Sequence, residues 1–147
     1  MVSGRGQSWG RGPILWAARG ALALVLAWNV QAAAALLLAP AAHAPGFEVG
    51  GVPGQTVVRG LGLLFLMWNV PYAAALIHPA RQIVPFACAV IAQFIGLVGE
   101  TWMFLALPQG HDALRATGLH FIVFDGLGFI LLLVTFAPLV FAIRRGE

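Results

Sequence analysis

Two carboxylates stand in a stretch where hydrocarbon-like residues dominate. Glu100 closes Gln93-Phe-Ile-Gly-Leu-Val-Gly-Glu, and Asp125 closes His120-Phe-Ile-Val-Phe-Asp, with a polar turn between the two arms. If both arms are membrane-spanning helices, 1.5 Å of rise per residue places each carboxyl roughly 11–14 Å below the turn. An ionisable group at that depth costs several kcal/mol unless it is paired, hydrated or protonated, so it marks a functional site by default. Two carboxylates close enough to share one proton suit proton transfer.

Helical spacing arranges other polar residues around them. Gln93, Gly96 and Glu100 fall on one face, and Asp125, Gly128, Leu132 and Thr135 on another. Arg19, Leu22, Leu26, Asn29 and Ala33 form a third stripe, and Arg59, Gly62, Leu66, Asn69 and Ala73 a fourth. Small residues beside polar ones are typical of contacts between membrane helices. The four stripes predict the inside of a four-helix bundle. Asn29 comes near the level of the carboxylates, and Asn69, Gln31 and Gln93 lie deeper. Arg59 starts at the outer end, where its long stem lets the head bend inward to pair with a carboxylate. His120 is roughly 6 Å in from the same end and on a different face from Asp125. Together they predict an outward-opening pocket ringed by Arg59, Glu100, His120 and Asp125 and floored by amides. Trp102 is the aromatic best placed to meet a ligand ring.

Two readings of this constellation compete. One is an ion-pair and amide network that only fixes helix register. The other is a pocket for a proton, a quinone-like headgroup or another apolar small molecule. A metal held by Glu100, His120 and Asp125 has suitable donor types but no motif spacing behind it. Nucleophilic catalysis has no candidate, since Ser3 and Ser8 are the only serines and both are in the N-terminal tail. Cys88, the single cysteine, reads as a small buried filler, and Gly60-Leu-Gly62 as helix packing instead of a phosphate loop. His43 and the pair His111-Asp112 read as solvated loop residues. No cofactor is implied.

The elements that must hold these residues follow from composition. The chain has 147 residues, 61% hydrophobic and 9% charged, with a mean hydropathy of +0.91. Soluble domains carry about 25% charged residues, so this chain cannot cover itself with a solvated surface. All eight positive charges are arginines at the ends of apolar runs. They form topology signals and no basic stripe, which argues against nucleic acid as a partner.

Residues 1–13 read as a flexible basic cytoplasmic tail, followed by a single domain with spans at about 14–39, 57–78, 83–107 and 116–142. Ala42-His43-Ala44 is a cleavage-like pattern, but the preceding apolar region is too long for a signal core and reads as a retained helix. Residues 40–56 are Pro/Gly-rich and read as the longest loop. Pro71 predicts a kink in the second span by removing one backbone hydrogen bond. Arg5, Arg11, Arg81, Arg144 and Arg145 share one side and only Arg59 and Arg115 the other. The positive-inside rule then expects both termini in the cytoplasm of a multi-pass inner (plasma) membrane protein.

A repeat links the first two spans. Arg19-Gly20, Trp28-Asn29-Val30 and Ala33-Ala34-Ala35-Leu36 recur forty residues later as Arg59-Gly60, Trp68-Asn69-Val70 and Ala73-Ala74-Ala75-Leu76. Each copy holds one span, so the copies would cross the membrane in opposite directions, as inverted repeats do.

Arg59-Gly-Leu-Gly-Leu-Leu-Phe-Leu, Gly-Leu-Val-Gly-Glu100 and four spans in a chain of this length resemble the DoxX-like group of small bacterial membrane proteins. That resemblance implies a small integral subunit or accessory protein, in one case linked to a quinol oxidase. It carries no catalytic residue onto this sequence. The expectation is thus an all-α, antiparallel up-down bundle in the lipid bilayer. Its function is either that of an accessory or assembly subunit beside other membrane subunits, or that of a stand-alone protein acting through Glu100 and Asp125, with homo-oligomers open to both. The two predict different surfaces: small or polar residues facing outward for a subunit, a uniformly apolar exterior around an internal cavity for a stand-alone protein.

Overall fold

A computed structural model describes residues 11–145, all of whose regular elements are helical. Most of the basic tail expected over residues 1–13 lies outside the described residues. Among the described residues, four segments are long and apolar enough to cross a membrane: Gly12–Leu38, Gly51–Ile77, Ile83–Ala106 and Asp112–Arg144. The shortest has 24 residues, above the roughly 20 that a bilayer core requires.

Helix α1 runs Arg11–Leu38 without interruption. The stretch expected as a long loop is mostly helical instead. A one-turn helix α2 (Pro40–His43) runs into a 3₁₀ turn (Ala44–Phe47), and α3 (Gly51–Trp68) begins soon after. The prolines explain this. Pro40 is at the start of α2, Pro45 at the start of the 3₁₀ turn and Pro53 in the first turn of α3. The N–H groups of a first turn have no partner inside the helix, so proline costs nothing there.

Within the second span, Pro71 has the effect its chemistry dictates. Helix α3 ends at Trp68, Asn69 forms a turn, and α4 (Val70–Ile77) starts with Pro71 in its first turn. Helices α5 (Ile83–Ala106) and α6 (Asp112–Arg144) complete the chain.

Packing differs along the length of the molecule. Helix α5 packs on α6, and α1 packs on α3, α4 and α6. Because of the break at Asn69, α4 lies against α5 whereas α3 leans on α1. At the end holding the Ile77–Ile83 turn, Ala18, Leu22, Val25, Ala75, Phe86, Ala89, Leu132 and Leu139 form one buried apolar cluster. At the opposite end Leu36, Ala44 and Val58 form a smaller one with Phe47, Leu61 and Phe65. Gly62 fixes the α1–α3 crossing, since a methyl there would meet the Ala33 carbonyl at 3.0 Å and Leu37 Cγ at 2.9 Å.

Helix ends are capped from neighbouring elements. Arg19 Nη2 donates to the Ile77 carbonyl at the end of α4 (3.2 Å), and Arg115 Nη2 to the Leu107 carbonyl just past α5 (2.8 Å). At the start of α6 the Leu114 N–H donates to Glu48 Oε1 (3.3 Å), while Glu48 Oε2 meets His111 Nδ1 at 2.6 Å. The Thr117 hydroxyl donates to the Gly46 carbonyl at 2.7 Å. His111 is therefore engaged, not merely solvated, and the turn before α3 is fastened to α6.

The hydrogen bond from His111, supported by the α6 amides, holds the Glu48 carboxyl below its ordinary value. A carboxyl whose folded pKa is depressed contributes stability above its unfolded pKa and loses it as pH falls through the folded one. Acidification from the ordinary carboxylate range downward is thus expected to lower the thermal midpoint of the detergent-solubilised protein. Glu48→Gln should lower the midpoint at neutral pH and flatten that acid-side slope, measured by thermal unfolding against pH.

Candidate functional site

Between the two apolar clusters lies a polar layer, and its geometry starts with two glycines. Gln93 and Gly96 are one helical turn apart on α5, as are Asp125 and Gly128 on α6. A methyl built on Gly96 would collide with Asp125 Oδ2, and one on Gly128 would lie 2.7 Å from Gln93 Nε2. Each helix thus offers a notch that receives the other's polar side chain. Only glycine leaves that space, which is why small residues accompany polar ones in membrane helix contacts.

Above this double notch a cavity of about 220 Å³ opens. Asn29 of α1, Gln93 and Glu100 of α5, and Asp125 of α6 all line it, so the two carboxylates and two of the expected amides do converge on one space. Asn29 and Gln93 are almost fully buried, at 3% and 2% exposure. Glu100 Oε2 is buried with no hydrogen-bond partner. Phe65, Trp68 and Tyr72 form the aromatic side. Tyr72 is fully buried, and its hydroxyl donates to the Ala89 carbonyl at 3.1 Å.

The other expected members of the ring lie elsewhere. Arg59 is exposed on α3 and forms no ion pair among the described residues. Its neighbour Val58 is the buried residue, and the inward line of the second span reads Val58, Gly62, Asn69, Tyr72. Gly62 and Asn69 of the expected stripe are on this line, whereas Arg59, Leu66 and Ala73 are one residue out of phase with it and exposed. Outward placement also keeps the guanidinium hydrated near the helix end. His120 is exposed and lines a separate cleft of about 740 Å³ with Gln31 and His43, between α1, α2 and α6. Among the described residues no group of three or more His, Cys, Asp or Glu could hold a metal ion, so the Glu100–His120–Asp125 triad is not assembled. Trp102 is 70% exposed and turned from the cavity, where Trp68 takes the aromatic position instead. Asn69 is buried, but its amide donates to the Phe65 carbonyl (2.7 Å) and it does not line the cavity. Cys88 is exposed rather than a buried filler.

Tyr72 is a cavity residue outside the four expected stripes. The signal was present: the chain's single tyrosine follows Pro71 and lies three residues beyond Asn69. A buried phenol needs a partner for its O–H, and the carbonyl of Ala89 supplies one. No protein-family model, curated protein or solved structure matches the chain.

The notches give a direct test. Gly96→Ala should lower stability by about 1–3 kcal/mol, because overpacking a tight contact forces backbone shifts. Gly99→Ala, with nothing within 4 Å, should be nearly neutral. Adding Asp125→Ala to Gly96→Ala should recover part of the loss, a non-additivity read from thermal unfolding of the four proteins.

Proposed function

We propose that the chain is a stand-alone multi-pass protein of the plasma membrane that binds a small ligand in the carboxylate cavity and couples binding to protonation of Glu100 and Asp125. In this reading the four long helices form an antiparallel up-down bundle. Both termini lie in the cytoplasm, on the strength of the arginine asymmetry. The cavity carries the reading. Three helices contribute Asn29, Gln93, Glu100 and Asp125 to one space, and among the described residues no arginine or histidine lines it. A network that served only to fix register would satisfy its own members, since half-satisfied buried polar groups are costly. Here Glu100 Oε2 has no partner. The remaining surface is rich in exposed large apolar side chains, among them Leu64, Val98, Leu105, Ile130 and Val134, as a lipid-facing exterior requires.

A second reading, an accessory subunit or homo-oligomer in keeping with the DoxX-like resemblance, draws on one observation. Gly20, Ala23, Ala27 and Gln31 are all exposed along α1. Small residues and an amide on an outward face suit close helix–helix contact.

Infrared spectroscopy of the protein in lipid vesicles separates the two. The proposal expects carboxylic acid C=O bands that appear and vanish reversibly with pH, one missing in Glu100→Gln and another in Asp125→Asn, from a protein that is monomeric in mild detergent. Carboxyl bands that do not respond to pH, or a stable oligomer broken by Ala27→Leu, would favour the subunit.

A further inference from the structure

The cavity's inventory specifies the charge of its ligand. Glu100 and Asp125 bring four acceptor oxygens when ionised. The Tyr72 hydroxyl spends its proton on the Ala89 carbonyl and leaves only acceptor capacity. The donors are the amide groups of Asn29 and Gln93. Gln93 is 2% exposed and lines the cavity, its amide seated against Gly128. Acceptors outnumber donors, and no cationic side chain from α1, α3, α4, α5 or α6 lines the space. An anionic ligand would add to the negative charge of the ionised carboxylates; a cation offsets it.

Aromatic rings and size narrow the class. Phe65, Trp68 and Tyr72 line the same space as the carboxylates. Aromatic faces attract a desolvated ammonium group, with tryptophan the best of them. The volume of about 220 Å³ is below the 300 Å³ or so at which drug-sized sites begin. Access comes from the side. Helix α3 leans on α1 and not on α5, and Leu64, Trp68 and Ile95, which line the cavity, are at the same time 59%, 48% and 55% exposed. The mouth therefore faces the region where lipid tails would lie.

Resting on the function proposed above, we infer that the ligand is a small, lipophilic organic monocation, an amine or quaternary ammonium, which enters laterally between α3 and α5 and exchanges for a proton on the carboxylate pair. The exchange is electroneutral. One carboxylic acid proton leaves to bulk water for each ammonium charge that arrives, and among the described residues the titratable groups facing the site are Glu100, Asp125 and Tyr72.

Benzyltrimethylammonium is a suitable probe, with its uncharged carbon isostere and benzoate as comparisons, titrated calorimetrically into the full-length protein in nanodiscs. The cation is expected to bind with release of a proton, detected as heat that varies with the ionisation enthalpy of the buffer. The isostere should bind roughly tenfold or more weakly, and benzoate not at all. Glu100→Gln should abolish proton release, and Trp68→Leu should weaken binding roughly two- to thirtyfold. Equal binding of cation and isostere by the wild-type protein overturns the inference without recourse to any variant. Reversible carboxyl titration in the infrared with no cation binding overturns the ligand class and leaves the proton site standing. Loss of that titration removes both.

Discussion

The missing N–H of Pro71 governs the shape of this molecule. Had the second span been one continuous helix, its whole length would follow one line and either pack on α5 throughout or not at all. The break at Asn69 separates those choices. Helix α4 packs on α5 and α1, closing the end that holds Phe86 and Leu139, while α3 packs on α1 and leaves α5 uncovered. A cavity between α3 and α5 follows directly. In hydrocarbon such a break is tolerated only where the freed backbone groups find other partners. The Asn69 amide donates to the Phe65 carbonyl, one turn back, and supplies such a partner. The first repeat copy has Gln31 where the second has Pro71, and its helix runs unbroken.

A second constraint operates between α5 and α6. Close approach of two helices and burial of two polar side chains normally conflict, because the side chains hold the backbones apart. Placing a glycine one turn from each polar residue resolves the conflict, Gly96 for Asp125 and Gly128 for Gln93. The cost is a contact without slack. The carboxylate of Asp125 lies against Gly96 in this contact and lines the cavity.

How much of this was legible in the sequence depends on the kind of signal. Span number and the break at Pro71 rest on local chemistry, and both appear in the fold. The stripes on α5 and α6 also hold, because Gln93, Gly96 and Glu100, and Asp125, Gly128 and Leu132, stay in phase with the 3.6-residue period. The stripe of the second span holds at Gly62 and Asn69 but not at Arg59, Leu66 and Ala73, because a choice between adjacent positions with similar small and apolar neighbours leaves the helix phase undetermined by one residue. Val58 and Tyr72 take the inward line instead. His111 and Glu48 could not be paired from sequence at all. They are 63 residues apart, and only the helical turn of residues 40–47, hidden by its prolines, brings them together.

That last contact bears on how the cavity is held. Helix α3 packs mainly on α1, and α2 and the 3₁₀ turn before it also touch it. Glu48 ties that turn to the first turn of α6, where the helix dipole and free N–H groups favour a carboxylate, and Thr117 adds a bond to Gly46. Phe47 and Phe65 both lie against Phe121 of α6, at ring distances of 6.2 and 5.9 Å. Phe65 also lines the cavity. A chain of contacts therefore runs from the exposed His111–Glu48 hydrogen bond through Phe47, Phe121 and Phe65 to the carboxylate site. The turn that leads into α3 is thus fastened to α6 by a surface carboxylate, and Leu64, Trp68 and Ile95 line the space between α3 and α5.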